Sequence, residues 1–165
     1  MRHPEWFRDY ARLELEAVEL NFHSTLIIPG LLQTEDYART IFTVRQPLLD
    51  VETIEQRVAA RPARQEILTR WPSPMVSAVP EESVLRRLVG GPAVQRGQLE
   101  QLLRLGRLRS TSIQVLPLDC EGHAGREGPF VLLVPKGRAQ VAHVEVQSLS
   151  RLITDSNEVR VIAAR

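Results

Sequence analysis

The residues best suited to chemistry lie on one predicted strand, Gln140 to Val146. Because side chains alternate across a strand, His143 and Glu145 share one face. If both faces of the strand are covered, these two side chains are buried polar groups and must be hydrogen-bonded, to the protein or to a ligand. We expect Gln114 and Glu82 to line the same space. The pattern therefore predicts either a ligand site or an internal polar network that fixes strand register.

An acid–base role for His143 and Glu145 is the enzymatic alternative, which their residue types permit but do not indicate. The sequence carries no complete nucleophile, metal or cofactor motif beside them. We therefore expect no catalytic residue, no cofactor and no metal. If the strand carries a ligand site, we expect Glu145→Gln to weaken ligand binding.

Two other patterns fall short of a site. Cys120 and His123 form half of a zinc site, whereas structural zinc sites use two such pairs. An exposed loop is the simpler interpretation. Gly122, Gly125 and Gly128 lie three apart but lack the Gly-Lys-Ser/Thr ending of a phosphate-binding loop. This glycine-rich segment predicts a flexible connection or lid between two strands.

The elements that must position these residues begin with a helical stretch over residues 1–71. Apolar residues at helical spacing predict a first helix from Pro4 to Val18. Thr34 and Asp50 are predicted N-caps of the next two helices. Pro62 predicts a kink or a fresh helix start, because proline removes one backbone hydrogen bond.

Residues 75–165 mix strands with helices. The predicted strands are Met75–Val79, Ile113–Pro117, Phe130–Val134 and Gln140–Val146. The predicted helices are Glu81–Val89, Pro92–Arg107 and a terminal helix with a capping box of Asp155 and Glu158. Lys136-Gly137-Arg138 predicts a hairpin turn. The sequence thus predicts an α+β fold, in which a helical N-terminal half packs with a small, mostly antiparallel sheet and the helices of the C-terminal half.

Length and composition bound the class of protein. The 165 residues, 43% of them hydrophobic, suffice for one domain with one core. The single cysteine excludes an intramolecular disulfide. No apolar run is long enough for a membrane helix, and the N-terminus lacks the order of a signal peptide, so we expect a cytoplasmic protein without membrane contact.

The arginines give a weak nucleic-acid signal. Arg57, Arg61 and Arg64 fall on one helical face and could meet phosphates. A solvated face with intrahelical pairs is the simpler interpretation, and the net charge of +1 argues against a phosphate-binding domain. Because no two short helices flank a tight glycine turn, we expect no direct DNA binding by this chain.

Several blocks of the sequence, taken together and in order, resemble a known family. They are Ile28 to Arg39 (IPGLLQTEDYAR), Arg61 to Gln65 (RPARQ), Glu82 to Arg87 (ESVLRR), Gln98-Leu99, Ile113 to Pro117 (IQVLP), Gly128 to Phe130 (GPF) and Val144-Glu145. The chain resembles the C-terminal effector domain, of poorly defined function, of actinobacterial Xre-type helix-turn-helix transcriptional regulators.

The resemblance implies a one-component regulator or an antitoxin-like protein, with a DNA-binding module N-terminal to this domain. Such regulators are often encoded beside a small partner protein or near secondary-metabolite genes. The helix-turn-helix is missing before Met1, and the chain stops at Arg165, where relatives continue into a further helix. We expect either the effector part of a longer regulator or a stand-alone relative that has lost DNA binding.

The expected function is therefore sensing. A small-molecule effector or a small partner protein binds and shifts a conformational equilibrium that alters DNA binding elsewhere in the protein. The sequence leaves open whether the protein forms a homodimer. The alternative is a stand-alone small-molecule-binding protein or a cofactor-independent enzyme in secondary metabolism. The candidate ligand-binding residues are Glu145, His143, Gln114, Glu82, Arg64 and Tyr37.

Overall fold

A computed structural model describes residues 5–146 and 149–165, with side chains from Arg8 onward. The helices in these ranges are α1 (Glu5–Glu16), α2 (Glu35–Thr43), α3 (Val51–Gln65), α4 (Glu82–Arg86), α5 (Pro92–Leu105) and α6 (Ser156–Ala163). The strands are β1 (Ala17–Ser24), β2 (Met75–Pro80), β3 (Thr111–Ile113), β4 (Phe130–Pro135), β5 (Val141–Val146) and β6 (Leu149–Ile153). Short 3-10 helices span Gly30–Leu32, Glu66–Leu68 and Ala124–Glu127.

The strands form one mixed sheet in the order β3-β2-β1-β4-β5-β6. β1 pairs with β2 and β2 with β3 in parallel, whereas the pairs β1–β4, β4–β5 and β5–β6 are antiparallel. The α+β class predicted from the sequence is confirmed. β6, at one edge, was not predicted, because its polar residues Ser150 and Arg151 break the apolar pattern of a strand.

Part of the stretch that the sequence predicts to be helical forms the central strand β1. Leu20 and Phe22 are buried and alternate with polar neighbours, as in a strand covered on one face. The prediction of a helix as far as Val18 is therefore wrong at its C-terminal end, since the first residues of β1 also continue the helical spacing. Pro4, the predicted start, lies outside the described residues.

Helices cover the two faces of the sheet unequally. One face carries Leu20, Phe22 and Leu133 and packs against α1, α2 and α5 to form the main core. The opposite face carries a smaller cluster, in which α6 packs its Val159 against Leu132 and neighbouring residues of β5 and β6. Because β5 lies under both clusters, its inner residues are covered from both sides.

Most local signals act as predicted. Thr34 and Asp50 accept hydrogen bonds from backbone amides three residues on, and Asp155 caps α6. Gly137 turns the chain between β4 and β5 with a φ of 70°, a conformation that favours glycine. Pro62 starts no fresh helix, because α3 runs through it as one element.

The Ile28–Thr34 segment is held in place by a buried side-chain amide. Gln98, on α5, donates from Nε2 to the Leu32 carbonyl and accepts at Oε1 from the Thr34 amide, both at 2.8 Å. The Gln98 side chain is fully buried, so it supplies partners that water cannot reach. It therefore joins α5 to the segment that precedes α2.

Candidate ligand site

Glu14 is the buried centre of a set of polar side chains between α1 and α3. Arg64 donates to both oxygens of the Glu14 carboxylate, from Nε at 2.9 Å and from Nη2 at 2.7 and 2.9 Å. Tyr10, one helical turn before Glu14, donates its hydroxyl to Oε1 at 2.8 Å. The Glu14 side chain is 1% exposed and that of Arg64 is 14% exposed. This charge pair is therefore largely withdrawn from water and ties α1 to α3.

His143 extends these contacts to the sheet. Its ring stacks on Tyr10 with centroids 4.1 Å apart, and its Nε2 shares a hydrogen bond of 2.7 Å with Ser150 Oγ on β6. His143 is 3% exposed. Burial lowers its pKa to about 4, so the ring is neutral near pH 7. Tyr10, Glu14, Arg64, His143 and Ser150 form what we call the polar cluster.

Glu145 lies beyond the polar cluster, two residues along β5 from His143, where the strand becomes exposed. Partial burial raises the pKa of the Glu145 carboxyl, and the positive charges of Arg45, Arg61 and Arg64 oppose that shift. These arginines are therefore near enough for their charges to act on this carboxylate.

Arg61, one turn before Arg64 on α3, is a second partly buried guanidinium. Its Nε is buried and has no hydrogen-bond partner, and burial lowers its pKa to about 10. The guanidinium carbon lies 5.3 Å from the ring centroid of Phe42 on α2, and Arg57 packs on the same ring at 5.7 Å. The predicted solvated arginine face is thus wrong for Arg61 and Arg64, because α3 turns them inward.

The structure brings together only some of the residues that the sequence singled out. His143 and Arg64 lie in the polar cluster, and Glu145 lies beside it. Gln114 follows β3, four strand positions from β5, and so roughly 19 Å away at the usual spacing of about 4.8 Å. The expectation that it lines the same space is wrong, because the sheet order cannot be derived from the order along the chain.

Glu82 and Tyr37 also have separate structural tasks. Glu82 begins α4, accepts a hydrogen bond from the Leu118 amide at 3.0 Å and pairs with Arg86. It therefore does not line the space near His143, contrary to expectation. Tyr37 is fully buried, and its hydroxyl accepts a hydrogen bond from the Ile28 amide at 3.3 Å.

Sequence reasoning missed Tyr10, Glu14 and Ser150, for which the four-residue spacing of Tyr10 and Glu14 was the only local signal.

The sequence profile of a domain of unknown function (DUF5753) matches residues 7–165. The chain belongs to this family. No curated protein and no solved structure matches it. The matched range contains every residue of the polar cluster, so these contacts lie within the DUF5753 domain itself.

The glycine-rich loop of the DUF5753 domain is docked on β1. The Gly125 carbonyl lies 3.0 Å from Nε2 of His23, and His123 lies 3.9 Å from Glu81.

Within the described residues, no group of three or more His, Cys, Asp or Glu side chains could hold a metal ion. Across the same ranges, no helix has the length and apolar character needed to cross a membrane.

His143 predicts how the stability of the DUF5753 domain depends on pH. Between about pH 6.5 and pH 4 the unfolded chain binds a proton at this residue while the folded chain does not. The free energy of unfolding therefore decreases as the pH is lowered through this window. His143 contributes up to about 1.4 kcal/mol of this decrease per pH unit. Above pH 6.5 both states are neutral and the effect vanishes.

The measurement is urea unfolding of the natural chain and of His143→Gln at about pH 7 and pH 4.5. Glutamine keeps a hydrogen-bonding group but does not titrate. We expect the loss of stability between the two pH values to be about 2 kcal/mol smaller in the variant. Equal losses in both proteins would show that His143 titrates normally in the fold.

Proposed function

We propose that this DUF5753 chain is the ligand- or partner-sensing effector domain of a cytoplasmic helix-turn-helix transcriptional regulator. DNA binding would be carried out by a separate N-terminal module, as the resemblance to Xre-type regulators implies. The observation that carries the proposal is Arg61, a partly buried guanidinium without a hydrogen bond or ion pair among the described residues, beside the polar cluster. Convergent polar groups with an unused charge are typical of a binding site.

The position of the polar cluster suits the coupling that sensing requires. Tyr10 and Glu14 belong to α1, Arg64 to α3, and His143 and Ser150 to β5 and β6. An occupant beside Arg61 would thus meet side chains that already tie helices to the sheet. A ligand alters DNA binding only by its different affinity for two conformations. A module preceding the chain would lie on the N-terminal side of α1, the helix that contributes two members of the cluster.

The geometry favours binding over acid–base chemistry. A general acid or base must reach the proton of its substrate and titrate near the working pH. His143 is almost fully buried, engaged with Ser150 and stacked on Tyr10. Burial also holds its pKa at about 4. These features suit a residue that fixes the position of β5 rather than one that exchanges protons.

The surroundings of Arg61 favour a small molecule as the ligand. A single recessed charge suits a ligand a few ångströms across, whereas stable protein partners bury about 800 Å² on each side. A small partner protein remains the alternative. The groove between α4 and α5 offers it an apolar surface with two exposed leucines, Leu88 and Leu103.

The coding sequence upstream of Met1, followed by DNA-binding measurements, tests the regulator role. We expect an in-frame helix-turn-helix there, and we expect the full protein to bind DNA ahead of its own gene. The 165-residue chain alone should bind that DNA at least about 1,000-fold more weakly, because specific recognition exceeds non-specific binding by that factor or more. Fluorescence anisotropy with the same labelled duplex compares the two.

An in-frame stop codon directly upstream of Met1, or equal binding by the full protein and the chain, would contradict the proposal. A scrambled duplex of the same length and composition is the control, since it reports the sequence-independent electrostatic part of binding.

A further inference from the structure

The guanidinium of Arg61 is fixed in place on two sides. Phe42 lies under it, with the guanidinium carbon 5.3 Å from the ring centroid. Gly30 lies against it so closely that a β-carbon at position 30 would overlap Nη1 and come within 3.2 Å of Cζ. The Pro29-Gly30 turn therefore provides room for Arg61 that any side chain would fill.

The carboxylates whose charges act on Arg57 or Arg61 are either already engaged or exposed. Glu14 accepts three contacts from Arg64 and one from Tyr10. Asp50 accepts hydrogen bonds from the amide and the hydroxyl of Thr53 at the start of α3. Glu145 is exposed and makes no hydrogen bond with a described residue, and the charges of Arg45, Arg61 and Arg64 act on its carboxylate.

The positive charges outnumber these carboxylates. Arg45, Arg57, Arg61 and Arg64 form the arginine cluster. Burial first, and then the charge of Arg45, lowers the pKa of Arg57; burial first, and then the charge of Arg64, lowers the pKa of Arg61. Each of the four guanidinium groups is near enough to another of them, and to Glu14, Asp50 or Glu145, for their charges to act on one another. Like charges in partly buried positions are unfavourable unless something pairs with them.

We propose that Arg61, with Arg57 beside it on the Phe42 ring, binds the oxyanion of a small organic ligand, a carboxylate or a phosphate group. This inference rests on the proposed function, because it names the chemistry of the effector that the domain senses. The planar guanidinium fork matches both oxyanions through two parallel hydrogen bonds. Since Gly30 and Phe42 already hold the fork in position, little side-chain entropy is lost on binding.

Glu145 competes with the ligand in this arrangement. Its carboxylate lies within reach of the charges of Arg45, Arg61 and Arg64, so it repels a second anion placed there. The sequence alone predicted that Glu145→Gln weakens ligand binding. For an oxyanion the expected sign is reversed, because the substitution removes a like charge.

The experiment titrates the 165-residue chain with sodium phosphate or sodium benzoate and follows the midpoint of thermal unfolding. Sodium chloride at equal ionic strength is the reference, because it screens charges without offering a bidentate oxyanion. We expect a saturable rise above the chloride curve. If the midpoint rises with benzoate alone, the ligand is a carboxylate; if it rises with phosphate alone, the ligand carries a phosphate group. If it rises with both, the site binds oxyanions in general. No rise with either overturns the inference.

Variants locate the site. Arg61→Gln is expected to weaken oxyanion binding by about 10-fold or more, the loss of one charge-assisted pair. It should unfold at the same temperature or higher without ligand, since it removes a desolvated charge that makes no hydrogen bond or ion pair among the described residues. Gly30→Ala should weaken binding comparably, because the added methyl group displaces the Arg61 guanidinium. The fold should be kept, since only the flexible end of that side chain must move. Glu145→Gln should strengthen it several-fold.

The matched control is Arg96→Gln, which removes the same charge from a side chain 83% exposed on α5. We expect its oxyanion affinity to stay within about twofold of the natural chain, as for a screened surface charge. Unchanged binding in Arg61→Gln, or an equal loss in Arg96→Gln, would refute the inference.

The outcomes separate this inference from the regulator proposal. Oxyanion binding is measured on the chain alone, without DNA. If the chain binds an oxyanion but no helix-turn-helix is encoded upstream, the regulator proposal fails and the site stands. If the full protein binds its operator but the chain binds no oxyanion, the site fails and the regulator proposal stands.

Discussion

Arg64→Met is expected to lower the free energy of unfolding by about 3 to 5 kcal/mol, the usual cost of removing one partner of a buried ion pair. Glu14 would keep only the Tyr10 hydroxyl as a hydrogen-bond donor while remaining 1% exposed. A carboxylate in that position is shielded from water and keeps only the more distant charge of Arg61 to stabilise it. Urea unfolding at pH 7 measures the loss.

Two further variants separate the buried pair from charge in general. Arg39→Met removes an arginine that pairs with Glu55, and both of these side chains are exposed. We expect little change in the free energy of unfolding, because water already solvates both charges. The double variant Glu14→Leu, Arg64→Met removes both buried charges and should recover most of the lost stability. Equal effects of Arg64→Met and Arg39→Met would refute this account of the polar cluster.

Gln98→Leu is expected to cost about 2 to 6 kcal/mol, because two backbone groups, one buried and one partly buried, lose their partners at about 1 to 3 kcal/mol each. These groups are the Thr34 amide and the Leu32 carbonyl, both bonded to Gln98 at 2.8 Å. Leucine fills a similar volume, so the loss reports hydrogen bonding rather than a cavity. Urea unfolding measures the total, and hydrogen exchange at the Thr34 amide reports the local opening.

Gln95→Leu is the matched control on the same helix. Gln95 is also buried, but it makes one hydrogen bond, to the Leu85 carbonyl, and its Oε1 has no partner. We therefore expect a clearly smaller loss than for Gln98→Leu. If the two variants are equally destabilised, the double contact of Gln98 is not what holds the Ile28–Thr34 segment.

These variants also test how the fold supports the oxyanion site. Gln98 holds the segment that contains Gly30, and Gly30 lies against the Arg61 guanidinium. We expect Gln98→Leu to weaken oxyanion binding as well as stability, and Gln95→Leu to leave binding unchanged.

Local signals predicted much of the fold. Thr34, Asp50 and Asp155 cap their helices as expected, since capping depends only on a few neighbouring residues. β2, β4 and β5 lie where apolar runs bounded by turns predict them. β1 and β6 were missed because their patterns are ambiguous within a single segment. Pairing in the sheet makes them strands, and pairing is a non-local property.

The α+β class, most element positions and the shared strand face of His143 and Glu145 follow from the sequence. Which charges pair depends on how the elements pack in three dimensions. The sequence shows Arg61 and Arg64 on one helical face, but not that Arg64 reaches Glu14, fifty residues away, while Arg61 has no ion-pair partner among the described residues. The reason is physical: Coulomb energies depend on distances between elements remote in the chain and on the water excluded between them.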